Sequence, residues 1–379
     1  MRYAVFASTE QGVRLAEKIA VALAGQQVDC FLHAKVQSLS GAEKPEFAAR
    51  VQYYKRLADE LKTAFARYDA LIFIMAAGIV VRSIAPYVVS KLLDPAVLVL
   101  DDRGQNIISL LSGHIGGANE LTRFLAERLH SNPVITTATD VNQLLAPDAL
   151  AGRLDMVPYP KENLVIFNGA LLRGRKLLYL LDSGMKCRAE YERRLRANHV
   201  PYEVVSWQEL TARLASCDTV GCSEQAGQND SLYVVLSDRQ DRGESGRVLY
   251  LRPRRLIAGV GCRRGTPAEL VLAALQDACS CLGWQAERLD RLASTVVKAD
   301  EQGLLAAAER LHVPIGFWEN SQLALAIERY GLKESDFVKK NIGVGNVCEA
   351  AALCCTERGR LALPKRKYEK VTVALIWER

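Results

Sequence analysis

The chain has 379 residues, 49% of them hydrophobic and 24% charged, with a net charge of +6. That is ordinary globular composition with enough apolar material for two to three cores of ~150 residues each. The charge excess is mild and no Lys/Arg block stands out, so neither a nucleic-acid tail nor a nucleic-acid partner is expected. No apolar run reaches the ~18 residues of a membrane span. The opening "MRYAVFASTEQG" also lacks the apolar stretch and cleavage site of a secretory signal. These features predict a cytoplasmic protein with no membrane association.

In chain order, "RYAVFAS" reads as a buried strand and "EQGVRLAEKIAVALAG" as an amphipathic helix closed by Gly25. "QVDCFLHA" is a second strand, "FAARVQYYKRLADELKTAFARY" a helix, and "DALIFIMAAG" a third strand running into a glycine turn. "AVLVLDDRGQNIISLL" divides into two strands around a tight turn formed by Asp101 and Asp102. A helix anchored by Leu121, Phe124, Leu125 and Leu129 follows, then "PVITTATD" as a strand. Strands alternating with helices predict a mostly parallel sheet flanked by helices.

From residue 141 to 252 the pattern loosens. Short strands are read at "NLVIFNG", "KLLYLL", "YEVVS", "DTVGCS", "SLYVVLSD" and "RVLYLRP". A strand over Leu256 to Val260 then meets a glycine-rich turn and a helix beginning near Thr266, and "KVTVALIWE" closes the chain as a strand. The fold class is therefore α/β and multi-domain: an N-terminal α/β domain over 1–140, a small middle domain over 141–252 and a C-terminal α/β domain over 253–379. The ten cysteines form no C-x-x-C pair, so reduced thiols are expected and a zinc site is not.

Three stretches carry candidate chemistry. In "GVGCRRGTPAE", Gly259, Gly261 and Gly265 let a ligand approach the backbone, Thr266 is placed to N-cap the helix, and Glu269 to complete a capping box. Arg263 and Arg264 add forked carboxylate or phosphate recognition. The same spacing partly matches a dinucleotide fingerprint, which keeps nicotinamide binding as an alternative. In "FIMAAGIVVRSIAP", small residues around Gly78 admit a planar ligand and Arg82 can hold a carboxylate.

In "SLLSGHIGGANELTRFLAERL", Gly113, Gly116 and Gly117 keep the backbone accessible around His114. Beside the positive end of a helix dipole, a neutral imidazole is favoured and can act as a general base. Asn119 is expected to donate to developing oxyanion charge and Glu120 to orient His114 or act itself. Lys298 and Glu349, each beside a short apolar or alanine-rich run, complete the candidate substrate contacts. No metal ligand set is read.

Taken in order, "IMAAGIVVRSIAP", "DPAVLVLDDRGQNIISLLSGHIGGANELT", "PVITTATDV", "GVGCRRGT", "KADEQGL", "VGNVCEAAAL" and "LPKRKYEKVTVAL" resemble the CbiG family, the cobalt-precorrin-5A hydrolases of anaerobic cobalamin synthesis. The resemblance implies a cobalt-bearing tetrapyrrole substrate fringed with carboxylate arms. It also implies opening of a δ-lactone with release of acetaldehyde to give cobalt-precorrin-5B. Cobalt would arrive within the substrate, so no cofactor is expected. Transient contact with other enzymes of the pathway and a homodimer are the further partner expectations. A non-catalytic tetrapyrrole-binding or delivery module is the alternative from a different class. The glycine-opened turns are expected to line one cleft.

Overall fold

The computed structural model describes residues 2–39, 50–90, 93–215, 231–239, 245–357 and 359–378. The expected strand "DTVGCS", with Cys217 and Cys222, lies outside them. The chain divides into two compact units, Met1–Val141 and Asn142–Arg379.

The first unit runs β1 (Arg2–Ala7), α1 (Glu10–Ala22), β2 (Gln27–His33), α2 (Ala34–Leu39), β3 (Arg50–Tyr54), α3 (Leu57–Arg67) and β4 (Ala70–Ile74). It continues through α4 (Ala77–Ile84), β5 (Ala96–Leu100), β6 (Asn106–Leu111), α5 (Ala118–Leu129), β7 (Asn132–Val134) and α6 (Ala138–Val141). The strands form one sheet in the order β3-β2-β1-β4-β5-β6-β7. β4 and β5 are apolar runs and β1 is apolar after Arg2, and all three are buried at every position, as strands covered on both faces must be. On one face, α1 and α5 pack through Val13, Ile19 and Leu125. On the other, α3 and α4 enclose Phe6, which stacks between Phe31 and Phe73 at ring-centroid distances of 4.7 and 4.9 Å. Each such buried ring contributes roughly 1.5–3 kcal/mol.

One pairing in this sheet decides where chemistry can gather. All neighbours run parallel except β5 and β6, which pair antiparallel with Leu100 opposite Ile107 and Val97 opposite Leu111. Asp101 makes this reversal by accepting the amides of Arg103, Gln105 and Asn106. Burial pushes its carboxyl up, but these bonds outweigh that and hold it below its ordinary pKa. β6 and β7 therefore end at the edge where β4 and β5 begin.

The second unit contains α7 (Pro147–Arg153), β8 (Met156–Tyr159), α8 (Asn163–Leu172), β9 (Leu177–Asp182), α9 (Arg188–Ala197), β10 (Tyr202–Val205), α10 (Trp207–Ala215), β11 (Leu232–Leu236) and β12 (Val248–Pro253). These build a sheet of order β10-β9-β11-β12-β8, parallel except for β8. The chain goes on through β13 (Leu256–Cys262), α11 (Ala268–Ser280), β14 (Arg291–Thr295), α12 (Gln302–Arg310), β15 (Ile315–Trp318) and α13 (Asn320–Tyr330). It ends with α14 (Asp336–Ile342), α15 (Cys348–Cys354), β16 (Gly359–Lys367) and β17 (Val371–Glu378). This second sheet has the order β15-β14-β13-β17-β16, with β16 and β17 antiparallel additions to a parallel half. Both sheets of the unit contribute to one apolar cluster, which includes Phe167, Leu251, Leu275 and Trp377.

Three expected elements differ. Residues 50–54, expected to open a helix, form edge strand β3, and the helix starts at Leu57. "NLVIFNG", expected as a strand, is helix α8. Its buried residues Leu164, Phe167 and Ala170 recur every third position, while Val165 and Ile166 face solvent. The expected strand "PVITTATD" is cut short: β7 ends at Val134 and a single helical turn begins at Ala138.

Candidate functional site

His114 sits in the loop between β6 and α5, at the sheet edge where β6 ends. The loop folds around its own glycines. A Cβ at Gly116 would lie 2.4 Å from Ser112 Cβ and 2.7 Å from the Ser112 carbonyl oxygen; one at Gly113 would lie 2.8 Å from Asn119 Oδ1. Gly117 has φ +85° and is the N-cap of α5, a left-handed position that glycine adopts without steric cost. The glycines expected to open the backbone to a ligand thus serve first to close this turn on itself. The amide of Gly117 donates to the His114 carbonyl (3.0 Å), Ala118 to Ser112 (3.1 Å) and Asn119 to Gly113 (3.0 Å). Among the described residues the Gly116 amide has no acceptor.

The ring of His114 is mostly buried, with Nε2 2.7 Å from Asp140 Oδ2. Asp140 comes from α6, 26 residues downstream, and three side chains converge on it. His114 and Asn119 Nδ2 (2.8 Å) meet Oδ2, while Arg123 Nη2 meets Oδ1. Asn119 is itself fixed, accepting from Ser109 Oγ at 2.6 Å and donating to Thr137 Oγ1 at 3.2 Å. Burial raises the Asp140 carboxyl, but the hydrogen bonds and charges of Arg123 and His114 outweigh that and hold its pKa below the ordinary value. Asp140 is therefore an anion over the physiological range. An ionised Asp140 favours the tautomer in which Nε2–H donates to it, and it stabilises the imidazolium that proton transfer creates.

This arrangement revises two expected roles. The carboxylate on Nε2 belongs to Asp140, whereas Glu120 is exposed in the first turn of α5. Asn119 spends its amide protons on Asp140 and Thr137, so the donor proposed for an oxyanion is engaged in holding the acid. Asp140, Arg123 and Thr137, which join His114 and Asn119 in this cluster, carry no expectation from the sequence. Thr137 and Asp140 stand inside "PVITTATDV", so that segment's resemblance was the available signal.

Gly78 and Arg82 follow β4 and lie at or beyond its C-terminal end, the opposite edge from the His114 loop. Both are exposed, and the Arg82 guanidinium folds back to 3.5 Å from the position of a Gly78 Cβ. Ile79 and Val81 beside them are exposed too, so this turn presents an apolar surface next to a cation. Within the first unit, the two glycine-opened turns do not share one cleft.

In the second unit the glycines of β13 have neighbours of their own. A Cβ at Gly259 would stand 1.7 Å from the Cys348 carbonyl oxygen, and one at Gly261 2.7 Å from Thr372 Oγ1. Both are small because α15 and β17 pack there, and a pyrophosphate could not take the same space; this removes the support for nicotinamide binding. Thr266 does not cap α11: the N-cap is Pro267, and the Thr266 hydroxyl donates to the Arg263 carbonyl at 2.7 Å. The capping box expected through Glu269 is absent, and Glu269 pairs with Arg310.

Gly265 has φ +72° with open space around it, and its amide donates to Glu301 Oε2 at 3.0 Å. Lys298 is buried and pairs with Glu301 Oε1 at 3.1 Å, which occupies the charge expected to bind an acid arm. Arg264 is exposed and pairs with Asp300 at 3.0 Å, and Arg263 is exposed. Glu349 is buried: it accepts the Lys365 amide at 2.9 Å and the Asn346 side-chain amide, while Asn346 Oδ1 accepts the Glu349 amide at 3.2 Å. It fixes the start of α15 rather than offering a free carboxylate. Burial pushes the thiols of Cys30, Cys279 and Cys348 up to about 12, which leaves them unreactive.

Comparison with known proteins places these units. The N-terminal model of the cobalamin synthesis G family matches residues 59–140 and the C-terminal model residues 256–376. The chain is 32% identical over 377 residues to a cobalt-precorrin-5A hydrolase of Priestia megaterium, covering 98% of this chain and 94% of that protein. It is 34% identical over 383 residues to a cobalt-precorrin-5A hydrolase of Salmonella typhimurium, covering 98% of this chain and 96% of that one. The crystal structure of a cobalamin biosynthesis protein G homolog from Sulfolobus solfataricus is 21% identical, with a TM-score of 0.51, covering 100% of this chain and 97% of that one. That likeness concerns the fold. His114, Arg123 and Asp140 all fall within the N-terminal match.

Proposed function

The chain belongs to the cobalamin synthesis G family, and from that premise we propose that His114, held by Asp140, drives the opening of the δ-lactone of cobalt-precorrin-5A. The chain is a hydrolase of cobalamin biosynthesis, as its full-length similarity to cobalt-precorrin-5A hydrolases requires. The alternative of a non-catalytic binding or delivery module gives way to this. The observation that carries the proposed mechanism is the 2.7 Å contact between His114 Nε2 and an ionised Asp140.

In the first stage Nδ1 of His114 takes a proton from water as its oxygen adds to the lactone carbonyl. The Gly116 amide donates to the oxyanion, in place of the engaged Asn119. Collapse breaks the acyl–oxygen bond and leaves a carboxylate and an alcohol. In the second stage the alcohol loses its proton, the adjacent carbon–carbon bond breaks, and the electron pair passes to the macrocycle while the two-carbon fragment leaves as acetaldehyde. One water is consumed per substrate. The cobalt enters and leaves with the tetrapyrrole, and no cofactor of the protein's own takes part. Residence in the cytoplasm, a homodimer and transient contact with neighbouring enzymes of the pathway complete the reading. Among the described residues no helix is long and apolar enough to cross a membrane.

Anaerobic incubation with cobalt-precorrin-5A in water enriched in heavy oxygen tests the route. One labelled oxygen in the new carboxylate, with acetaldehyde trapped in equal amount, is expected. Label absent from the carboxylate would contradict attack at the carbonyl.

A further inference from the structure

Ser112 has two features that the roles assigned so far leave unused. Its backbone is left-handed, with φ 59°, a conformation that costs a residue bearing a Cβ. Its side chain is also buried, with 8% of the residue exposed, and among the described residues its Oγ has neither donor nor acceptor partner. A buried hydroxyl is ordinarily satisfied, so an orphan in a folded protein calls for a physical explanation. The carbonyl of the same residue is used, accepting the Ala118 amide at 3.1 Å.

The neighbourhood points to that explanation. Ser112 packs against Gly116 so closely that a Cβ on the glycine would lie 2.4 Å from Ser112 Cβ. The Gly116 amide also lacks an acceptor among the described residues. A hydroxyl and an amide, adjacent in one turn and both unspent, flank the loop that carries His114. Donors left without partners in the free protein are suited to a charge that exists only during reaction.

We propose that Ser112 Oγ–H is the second oxyanion donor of the lactone-opening step, acting with the Gly116 amide. This rests on the reading of His114 as base. During water addition the hydroxyl donates its hydrogen bond to the carbonyl oxygen without giving up its proton, and it releases that bond when the acyl–oxygen bond breaks.

The test uses the full chain and cobalt-precorrin-5A under anaerobic conditions, with trapped acetaldehyde as the readout. For Ser112→Ala the expected result is a fall in kcat of about 10²-fold with KM nearly unchanged, and a thermal midpoint no lower than the parent's, because the lost hydroxyl makes no bond in the free protein. Ser112→Gly, which accepts the left-handed backbone freely, should show the same kcat loss. A Ser112→Ala kcat within threefold of the parent's would overturn the proposal. So would a glycine variant of normal kcat beside an alanine variant impaired in both kcat and melting, since that pattern marks a purely conformational role. Failure of the base assignment is read separately: His114→Ala would then turn over normally, whatever the serine variants do.

Discussion

Replacing Asp140 by asparagine keeps the shape of the side chain and removes its charge. The amide can offer its carbonyl oxygen to His114 Nε2–H and Asn119, but its nitrogen then faces the Arg123 guanidinium, donor against donor. In the folded protein this loses one or two charge-assisted hydrogen bonds. His114 and Asp140 are mostly buried, whereas the Arg123 side chain is 45% exposed and its share is discounted for screening. A stability loss of about 1–3 kcal/mol follows. In the transition state the imidazole becomes a cation 2.7 Å from the lost charge. At an effective dielectric of ~20 that attraction is about 6 kcal/mol, part of which Arg123 already offsets. A remainder of about 3 kcal/mol corresponds to roughly 10² in kcat. Anaerobic turnover with acetaldehyde capture, beside a melting curve, measures both. A folded Asp140→Asn chain with kcat within threefold of the parent would refute the reasoning. The acid stability should change too. A carboxyl whose folded pKa is depressed contributes stability that is present above its unfolded value of about 3.9 and lost as pH falls through the folded one. The variant should therefore show a shallower loss of melting temperature below about pH 4.

Other substitutions separate loop architecture from ligand contact. Gly116→Ala places a Cβ against the Ser112 carbonyl and should cost about 1–3 kcal/mol together with most of the turnover, read by calorimetry and acetaldehyde release. Gly259→Ala drives a Cβ into the Cys348 carbonyl oxygen and should lower the thermal midpoint sharply, with a loss of about 3 kcal/mol or more as β13 and α15 separate. A stable Gly259→Ala variant that fails only in substrate binding would restore the ligand-approach reading. Glu301 is buried, which raises its carboxyl, but the Gly265 amide and Lys298 prevail and lower its pKa. Its stabilisation is present above its unfolded value of about 4.3 and lost as pH falls through the folded value. Melting temperatures of Glu301→Gln should accordingly depend less on pH in that acid range.

Much of the first unit could be read directly from residue patterns because its central strands are uniform apolar runs and its turns carry strong local chemistry. Asp101 is an example, since the three amides it accepts are all within five residues. β3 reads as helix in the sequence because an edge strand with exposed Arg50 and half-buried Val51 and Gln52 has no clean alternation. α8 reads as a strand in the sequence because Val165 and Ile166, β-branched and adjacent, stand on its solvent side. His114 stood out through its glycines, but its partner did not. Asp140 reaches it only because β7 runs parallel to β6 and returns the chain to the same sheet edge, a pairing across 26 residues that no local period encodes. The separation of the Gly78 turn from the His114 loop has the same origin, since one antiparallel strand sends β4 and β6 to opposite edges.

The imidazole of His114 is the group on which the chemistry turns, so its removal is the most direct measurement. Full-length His114→Ala, shown to be folded by its melting curve, is incubated anaerobically with cobalt-precorrin-5A and the acetaldehyde is captured. Loss of a general base predicts a rate lower by about 10²–10⁴; release at close to the parent rate would contradict the account.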